Sequence, residues 1–290
     1  MTRPPKTARV SYGRLEFAKQ GVSRWDLRDP YHLAVALSWP QFLLAFIGLE
    51  LAINLVFAIL YAVQPGSIAN AAPGSYLDTF FFSMETLATV GYGDMHPATL
   101  YGHVISAIEI VTGVLFTAIM TGLLFVRFAR PRSRIRFADA IVVPRYRGKP
   151  TLMVRVGNGR LNLMSNAAAR VDALLAERVE SGQLYRRIHE LRLIQGRLPV
   201  LALTWTMMHV IDESSPLHGY TPERLAAEGV RLFVTIEARD ITLAATIHDM
   251  RSYDADEILF DMRYADAVST DDQGRAIADL TRLSLVEPDS

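Results

Sequence analysis

Up to about Arg130 the apolar positions come in long unbroken runs; beyond it they come in short bursts separated by turn residues. The first run is Trp39 to Val63, WPQFLLAFIGLELAINLVFAILYAV, with Glu50 as its only charge. The second is Tyr101 to Phe128, with Glu109 as its only acid and Arg127 near its end. A helix of about 20 residues crosses a hydrocarbon core of about 30 Å, so each run is long enough to span one with some tilt. A single run of this kind fits a buried core helix as well; two predict a pair of membrane-crossing helices. Between them, Ser75 to Ala88 (SYLDTFFFSMETLA) is apolar and aromatic but too short to cross. It predicts a re-entrant helix, N-capped by Ser75 or Asp78, that ends where TVGYGD begins. Ahead of the first run, Arg24 to Leu37 mixes Trp, Tyr and Leu with Arg and His. That mixture predicts an amphipathic helix lying at the membrane interface.

After Pro131 the bursts are Ile141 to Tyr146, Thr151 to Val156, Leu184 to Leu193, Val200 to Met208 and Val230 to Glu237. They are rich in β-branched and aromatic residues, and Gly148, Gly157, Ser181 and Pro199 punctuate them. Short strands so spaced predict an all-β sandwich. Thr221 to Glu228 (TPERLAAE) predicts one short helix with Thr221 as its cap and Pro222 at the first turn.

Composition adds exclusions and charge adds direction. The chain has 290 residues, is 50% hydrophobic and has a formal net charge of +0. It has no cysteine, which removes disulfide frameworks, thiol catalysis and cysteine-ligated zinc. The N-terminus has basic residues but no apolar stretch of the kind a cleavable secretory signal carries. Arg3, Lys6, Arg9, Arg14, Lys19, Arg24 and Arg28 precede the first run, and Arg127, Arg130, Arg132, Arg134 and Arg136 end or follow the second. Gln64 to Leu100 holds no Lys or Arg. The excess of cations beside the cytoplasmic leaflet then places both termini inside.

The chemistry is concentrated in Thr89, Val90, Gly91, Tyr92, Gly93 and Asp94. A potassium filter replaces the hydration shell of the ion with backbone carbonyls, and TVGYG is the sequence by which such filters are built. Gly91 and Gly93 permit backbone conformations that a side chain forbids. K+ is thus the expected permeant ligand, at Thr89, Val90, Gly91 and Tyr92, with no cofactor expected. Two spans cannot enclose a pore, so a ring of four subunits, a homotetramer, is predicted. Glu85 lies nine residues before Asp94; the two carboxyl groups are expected to share a proton or a bridging water and support the filter from behind. In the second run Gly113 and Gly122 read as either hinges or close-packing points. Thr117 is a cavity-lining candidate. Phe125 is placed for a ring of aromatics that closes the pore by dewetting.

These stretches resemble the bacterial inward-rectifier potassium channels, the KirBac family. The resemblance rests on Ser38 to Pro40 (SWP), Phe80 to Pro97 (FFFSMETLATVGYGDMHP), Arg127 to Arg132 (RFARPR), Lys149 to Arg155 (KPTLMVR) and Met207 to Leu217 (MMHVIDESSPL). It implies residues 1–38 as a cytoplasmic N-terminus with an interfacial slide helix. Residues 39–130 would form a transmembrane pore domain of outer helix, pore helix, selectivity filter and inner helix. Residues 131–290 would form an immunoglobulin-like cytoplasmic sandwich. It also implies a multi-pass protein of the bacterial inner membrane, with Phe125 at the bundle gate. Glu237 and Ala238 would fall in the loop that narrows the cytoplasmic pore, a loop that commonly carries glycine at the position of Ala238. Eukaryotic relatives often carry an acid where this chain has Thr117, and an arginine soon after the filter where it has Asp94 and Met95. Without the cavity acid, rectification through magnesium or polyamine block is expected to be weak; barium is an expected blocker. Arg127, Arg130, Arg132 and Arg134 read either as ligands for anionic lipid headgroups, phosphoinositides included, or as topological markers only.

Other signals weigh less. His189, His209, His218 and His248 are scattered without metal-ligand spacing, and His209, Asp212 and Ser214 form a triad by order only. Gly157 and Gly159 begin a glycine pattern that Asn162 breaks, so no dinucleotide fingerprint is present. No run carries the repeated arginines of a voltage sensor. Neither an enzyme nor a nucleic-acid binder is expected. The alternative to a channel is a membrane-anchored lipid or partner sensor with a non-conducting pore.

Overall fold

The computed structural model describes residues 7–12, 15–20, 28–131, 133–178 and 183–289. The chain divides into two compact units: Met1–Lys6 with Gly21–Arg130, and Thr7–Gln20 with Pro131–Ser290. The first is helical and the second is built of strands.

Among the described residues of the helical unit there are four helices: α1 (Pro30–Ala36), α2 (Trp39–Val63), α3 (Tyr76–Leu87) and α4 (Leu100–Ala129). Each begins at a side chain able to take up orphan amides. Asp29 accepts from His32 N, Ser75 from Asp78 N and Thr99 from Gly102 N, while Gln41 accepts from Ser38 N. Pro30 and Pro40 occupy first-turn positions where no amide is needed. α2 covers the predicted run residue for residue, and α4 extends the second run by a residue at each end. Ser75, not Asp78, caps the short α3; Asp78 instead accepts from Ala72 N, at 2.8 Å. The predicted interfacial segment is helical over Pro30–Ala36, and Arg24 to Leu27 lie outside the described residues.

α3 packs against both long helices: Phe82 lies with Phe57 and Tyr61 of α2 and with Ile68, and Ile105 of α4 packs against this cluster, the Tyr61 and Phe82 rings meeting edge to face at 5.1 Å. Phe46 of α2 stacks on Phe116 of α4 at 5.5 Å. The loops at the far ends are tied by a bridge between Ile68–Ala69 and His96–Pro97. Leu44, Ile59, Val111 and Ile119 remain exposed on the long helices, as lipid-facing side chains require.

The strand unit is a two-sheet sandwich. One sheet runs, in spatial order, Leu184–Leu191, Met164–Arg178, Arg231–Asp240, Ala245–Asp254, with Arg197–Leu201 also paired to Met164–Arg178. The other runs Thr204–Val210, Lys149–Asn158, Ile141–Val143, Ile258–Phe260, the last pair parallel. Strands alternate buried and open positions, as a half-covered sheet requires. In Arg231–Asp240 the buried set is Leu232, Val234, Ile236, Ala238 and Asp240. Their apolar members meet Val154, Val156, Val171 and Met207 in a single core. Arg147 and Gly148, at φ 54° and 79°, make the two-residue turn that starts the Lys149–Asn158 strand.

Two features depart from expectation. The longest strand, Met164–Arg178, was not expected. Residues 1–38 are not one piece: Thr7–Tyr12 and Leu15–Gln20 pair as a hairpin that groups with the strand unit. The α5 helix (Pro222–Glu228) forms as expected, with Thr221 accepting from Arg224 N and Gly229 ending it in the left-handed conformation. The turn expected at Ser181 lies outside the described residues.

Candidate ion-conduction site

The segment after α3 has an alternating backbone: φ is 56° at Thr89, 54° at Gly91 and 86° at Gly93, while Val90 and Tyr92 between them are not left-handed. Such alternation turns successive carbonyls to the same side, the arrangement that rings an ion with oxygen. Thr89 pays steric strain for it, on the order of 1–2 kcal/mol, which the surrounding contacts must offset. Those contacts come from α3. The Glu85 carbonyl accepts from both Val90 N (2.9 Å) and Gly91 N (3.2 Å), and the Thr86 carbonyl accepts from Thr89 N (3.0 Å). The carbonyl end of α3 thus closes onto the segment, and the negative end of its dipole favours a cation there.

Glu85 therefore meets Val90 and Gly91 through its main chain. Among the described residues neither the Glu85 nor the Asp94 carboxyl group has a hydrogen-bond or ion-pair partner within the subunit. Asp94 is held instead through its carbonyl, which accepts from Asn70 Nδ2 at 2.8 Å.

The two glycines of α4 differ. A Cβ on Gly113 would lie 2.2 Å from the Leu87 carbonyl oxygen, so this residue is a close-packing point for the end of α3. Gly122 has no neighbour within 4 Å of such an atom. Thr117 and Phe125 are both exposed on α4 in the single subunit, eight residues apart and so roughly 80° apart around the helix.

Arg127 corrects an expectation. Its guanidinium donates to the carbonyls of Ala34 (2.7 Å), Val35 (3.3 Å) and Leu37 (2.9 Å), satisfying the open C-terminus of α1. It also lies over the rings of Trp39 and Phe42, at 4.8 and 4.5 Å. It is not a free headgroup ligand. Arg130 and Arg134 are exposed, and Arg132 lies outside the described residues.

Glu237 and Ala238 also differ from expectation, because they belong to the Arg231–Asp240 strand and not to a loop. The turn is residues 241–244, with Ala244 at φ 50°. The pairing with Met164–Arg178 shifts between Glu237 and Arg239, a bulge next to that turn. Asp240 closes it. Burial works against its charge, but donors from Asn162 Nδ2, Leu243 N and Thr242 N hold its carboxyl below the ordinary carboxylate range.

The histidine triad does not assemble. His209 Nδ1 donates to the Arg192 carbonyl and Nε2 accepts from Ser215 Oγ, both at 2.8 Å, while the Asp212 carboxylate accepts from Ser214 N and Oγ.

One cluster escaped sequence reading. Glu109 is fully buried between α2, α3 and α4. Tyr61 Oη lies 2.6 Å from its Oε2 and Ser83 Oγ 2.5 Å from its Oε1. Ser83 Oγ also lies 3.0 Å from Asn54 Oδ1, and Asn54 Nδ2 donates to the Glu50 carbonyl. Only the isolation of Glu109 in an apolar run hinted at it.

Two long apolar helices, a short capped helix between them and the alternating backbone at 89–93 fit the pore subunit of a potassium channel. Residues 135–288 match the family model described as the inward rectifier potassium channel C-terminal domain, and residues 46–130 match the ion channel family. The chain is 35% identical over 267 residues to the inward rectifier potassium channel Kirbac3.1 of Paramagnetospirillum magnetotacticum, covering 92% of this chain and 89% of that one. Human ATP-sensitive inward rectifier potassium channel 15 is 25% identical over 310 residues, covering 98% and 82%. Human ATP-sensitive inward rectifier potassium channel 10 is 27% identical over 282 residues, covering 88% and 73%. The chain belongs to the inward rectifier potassium channel family, among its bacterial members.

Proposed function

We propose that four copies of this chain surround one axis and pass K+ passively through Thr89–Gly93. The carbonyls of Thr89, Val90, Gly91 and Tyr92 replace the water of the ion, while the Val90 and Tyr92 side chains brace the ring. Four Phe125 side chains close the inner end by dewetting. The cations before α2 and after α4, with none in residues 64–100, support cytoplasmic termini in a bacterial plasma membrane. The exposed guanidiniums of Arg130 and Arg134 are left for anionic headgroups. Thr117 has no charge to hold magnesium or a polyamine in the cavity, so block from the inside is weak. The observation that carries the reading is the alternating left-handed backbone at Thr89, Gly91 and Gly93, pinned by the Glu85 carbonyl.

The test is uptake of rubidium against sodium into liposomes containing the purified protein, with and without barium. Selective, barium-blocked uptake that Gly91→Asp abolishes is the expected result. A tetramer that takes up neither ion in any lipid would instead favour a sensor with a silent pore.

A further inference from the structure

Among the described acids of the helical unit, Glu109 alone is fully buried. A carboxyl group inside a membrane domain is costly unless partnered, and its partners show what it holds. They come from two other helices: Tyr61 from α2 and Ser83 from α3. Asn54 of α2 adds a second grip on the same Ser83 hydroxyl.

Ser83 stands two residues before Glu85, whose carbonyl carries the filter amides of Val90 and Gly91. One helical turn beyond Ser83, the Leu87 carbonyl rests where Gly113 leaves room, and Gly113 is one turn beyond Glu109. The two helices are therefore locked at matching positions, Ser83 to Glu109 and Leu87 to Gly113. Apolar packing between helices in lipid has little directional preference, whereas a hydrogen bond fixes both depth and rotation.

We propose that Glu109 is a positioning residue for the potassium filter: with Tyr61 and Ser83 it fixes the depth and rotation of α3, and so the spacing of the carbonyl ring that separates K+ from Na+. This rests on the reading of Thr89–Gly93 as the filter. Glu109 touches no ion; it acts through Ser83, α3 and the Glu85 carbonyl. A Gln at 109 keeps an acceptor for one of the two hydroxyls and offers an N–H to the oxygen of the other, whereas Leu offers neither.

The test compares full-length parent, Ser83→Ala, Glu109→Leu and Glu109→Gln in liposomes, reading the ratio of rubidium to sodium uptake and confirming the tetramer by size-exclusion chromatography. Ser83→Ala and Glu109→Leu are expected to lower the ratio about tenfold, the effect of one lost buried hydrogen bond, and Glu109→Gln to stay within about threefold of the parent. A structural role alone would lower total uptake and leave the ratio intact, and that result would overturn the proposal. If Glu109→Leu does not assemble, Ser83→Ala, which removes only a hydroxyl, decides. A parent that does not discriminate between the ions overturns the filter reading itself; a discriminating parent with indifferent variants overturns only the positioning role.

Discussion

The two units solve opposite burial problems. The strand unit hides Val, Leu and Ile between its sheets and turns charge outward, with Leu232, Val234 and Ile236 fully covered. The helical unit leaves Leu44, Ile59 and Phe128 open and buries Asn54, Ser83 and Glu109. In water, apolar burial drives packing and buried polar groups are incidental. In lipid no such drive acts between helices, so small residues and polar pairs must supply the specificity. The same side chains thus mean different things in the two halves: a buried carboxyl at Asp240 finishes a turn, while one at Glu109 joins three helices.

The largest test of this difference is at α4. Gly113→Ala places a Cβ on the Leu87 carbonyl and is expected to cost on the order of 3 kcal/mol, with loss of tetramer on size-exclusion chromatography and of ion uptake. Gly122→Ala, with open space in the subunit, is expected to keep the tetramer. Equal tolerance at both positions would erase the claim that small residues set helix packing here.

A smaller effect is expected at Arg127. Arg127→Gln removes the fork that closes α1 and is expected to cost about 1–3 kcal/mol, read as faster amide exchange across Pro30–Ala36 with the rubidium-to-sodium ratio unchanged. Arg127→Lys does not restore protection, because one ammonium cannot reproduce a planar fork. Protection unchanged in Arg127→Gln would mean that α1 holds without the guanidinium.

The smallest effect belongs to the sandwich. Tyr253 donates to the Ala138 carbonyl (2.7 Å) and Tyr264 to the Ala140 carbonyl (2.6 Å). Burial pushes both phenols up from their ordinary value. Their contribution is complete below the unfolded phenol pKa of about 10 and is lost as pH rises above it. Tyr253→Phe is expected to cost about 1 kcal/mol at neutral pH and to flatten the alkaline fall in the sandwich's thermal stability. An unchanged alkaline slope would place the titrating groups elsewhere.

What the sequence made legible follows the same division. The long helices could be read because an apolar run of this length has few other physical meanings, and the glycines at fixed spacing marked Thr89–Gly93 as the candidate filter. Met164–Arg178 could not: NAAARVDALLAER is rich in Ala, Leu, Arg and Glu, strong helix formers, and it becomes a strand because neighbours pair along both edges. The N-terminal hairpin was hidden behind its charges, which read as a topological marker. Glu109 was visible, but its partners Ser83 and Tyr61 are 26 and 48 residues away, beyond any local pattern. The role of Arg127 was hidden for the same reason, since the carbonyls it serves lie 90 or more residues earlier.

That arginine has a mechanical consequence. It grows from the last turn of α4 and closes the end of α1, so the two helices share one fastening. Phe125 stands two residues before this joint, so a displacement of that turn relative to α1 works against the same three hydrogen bonds, made by a single side chain.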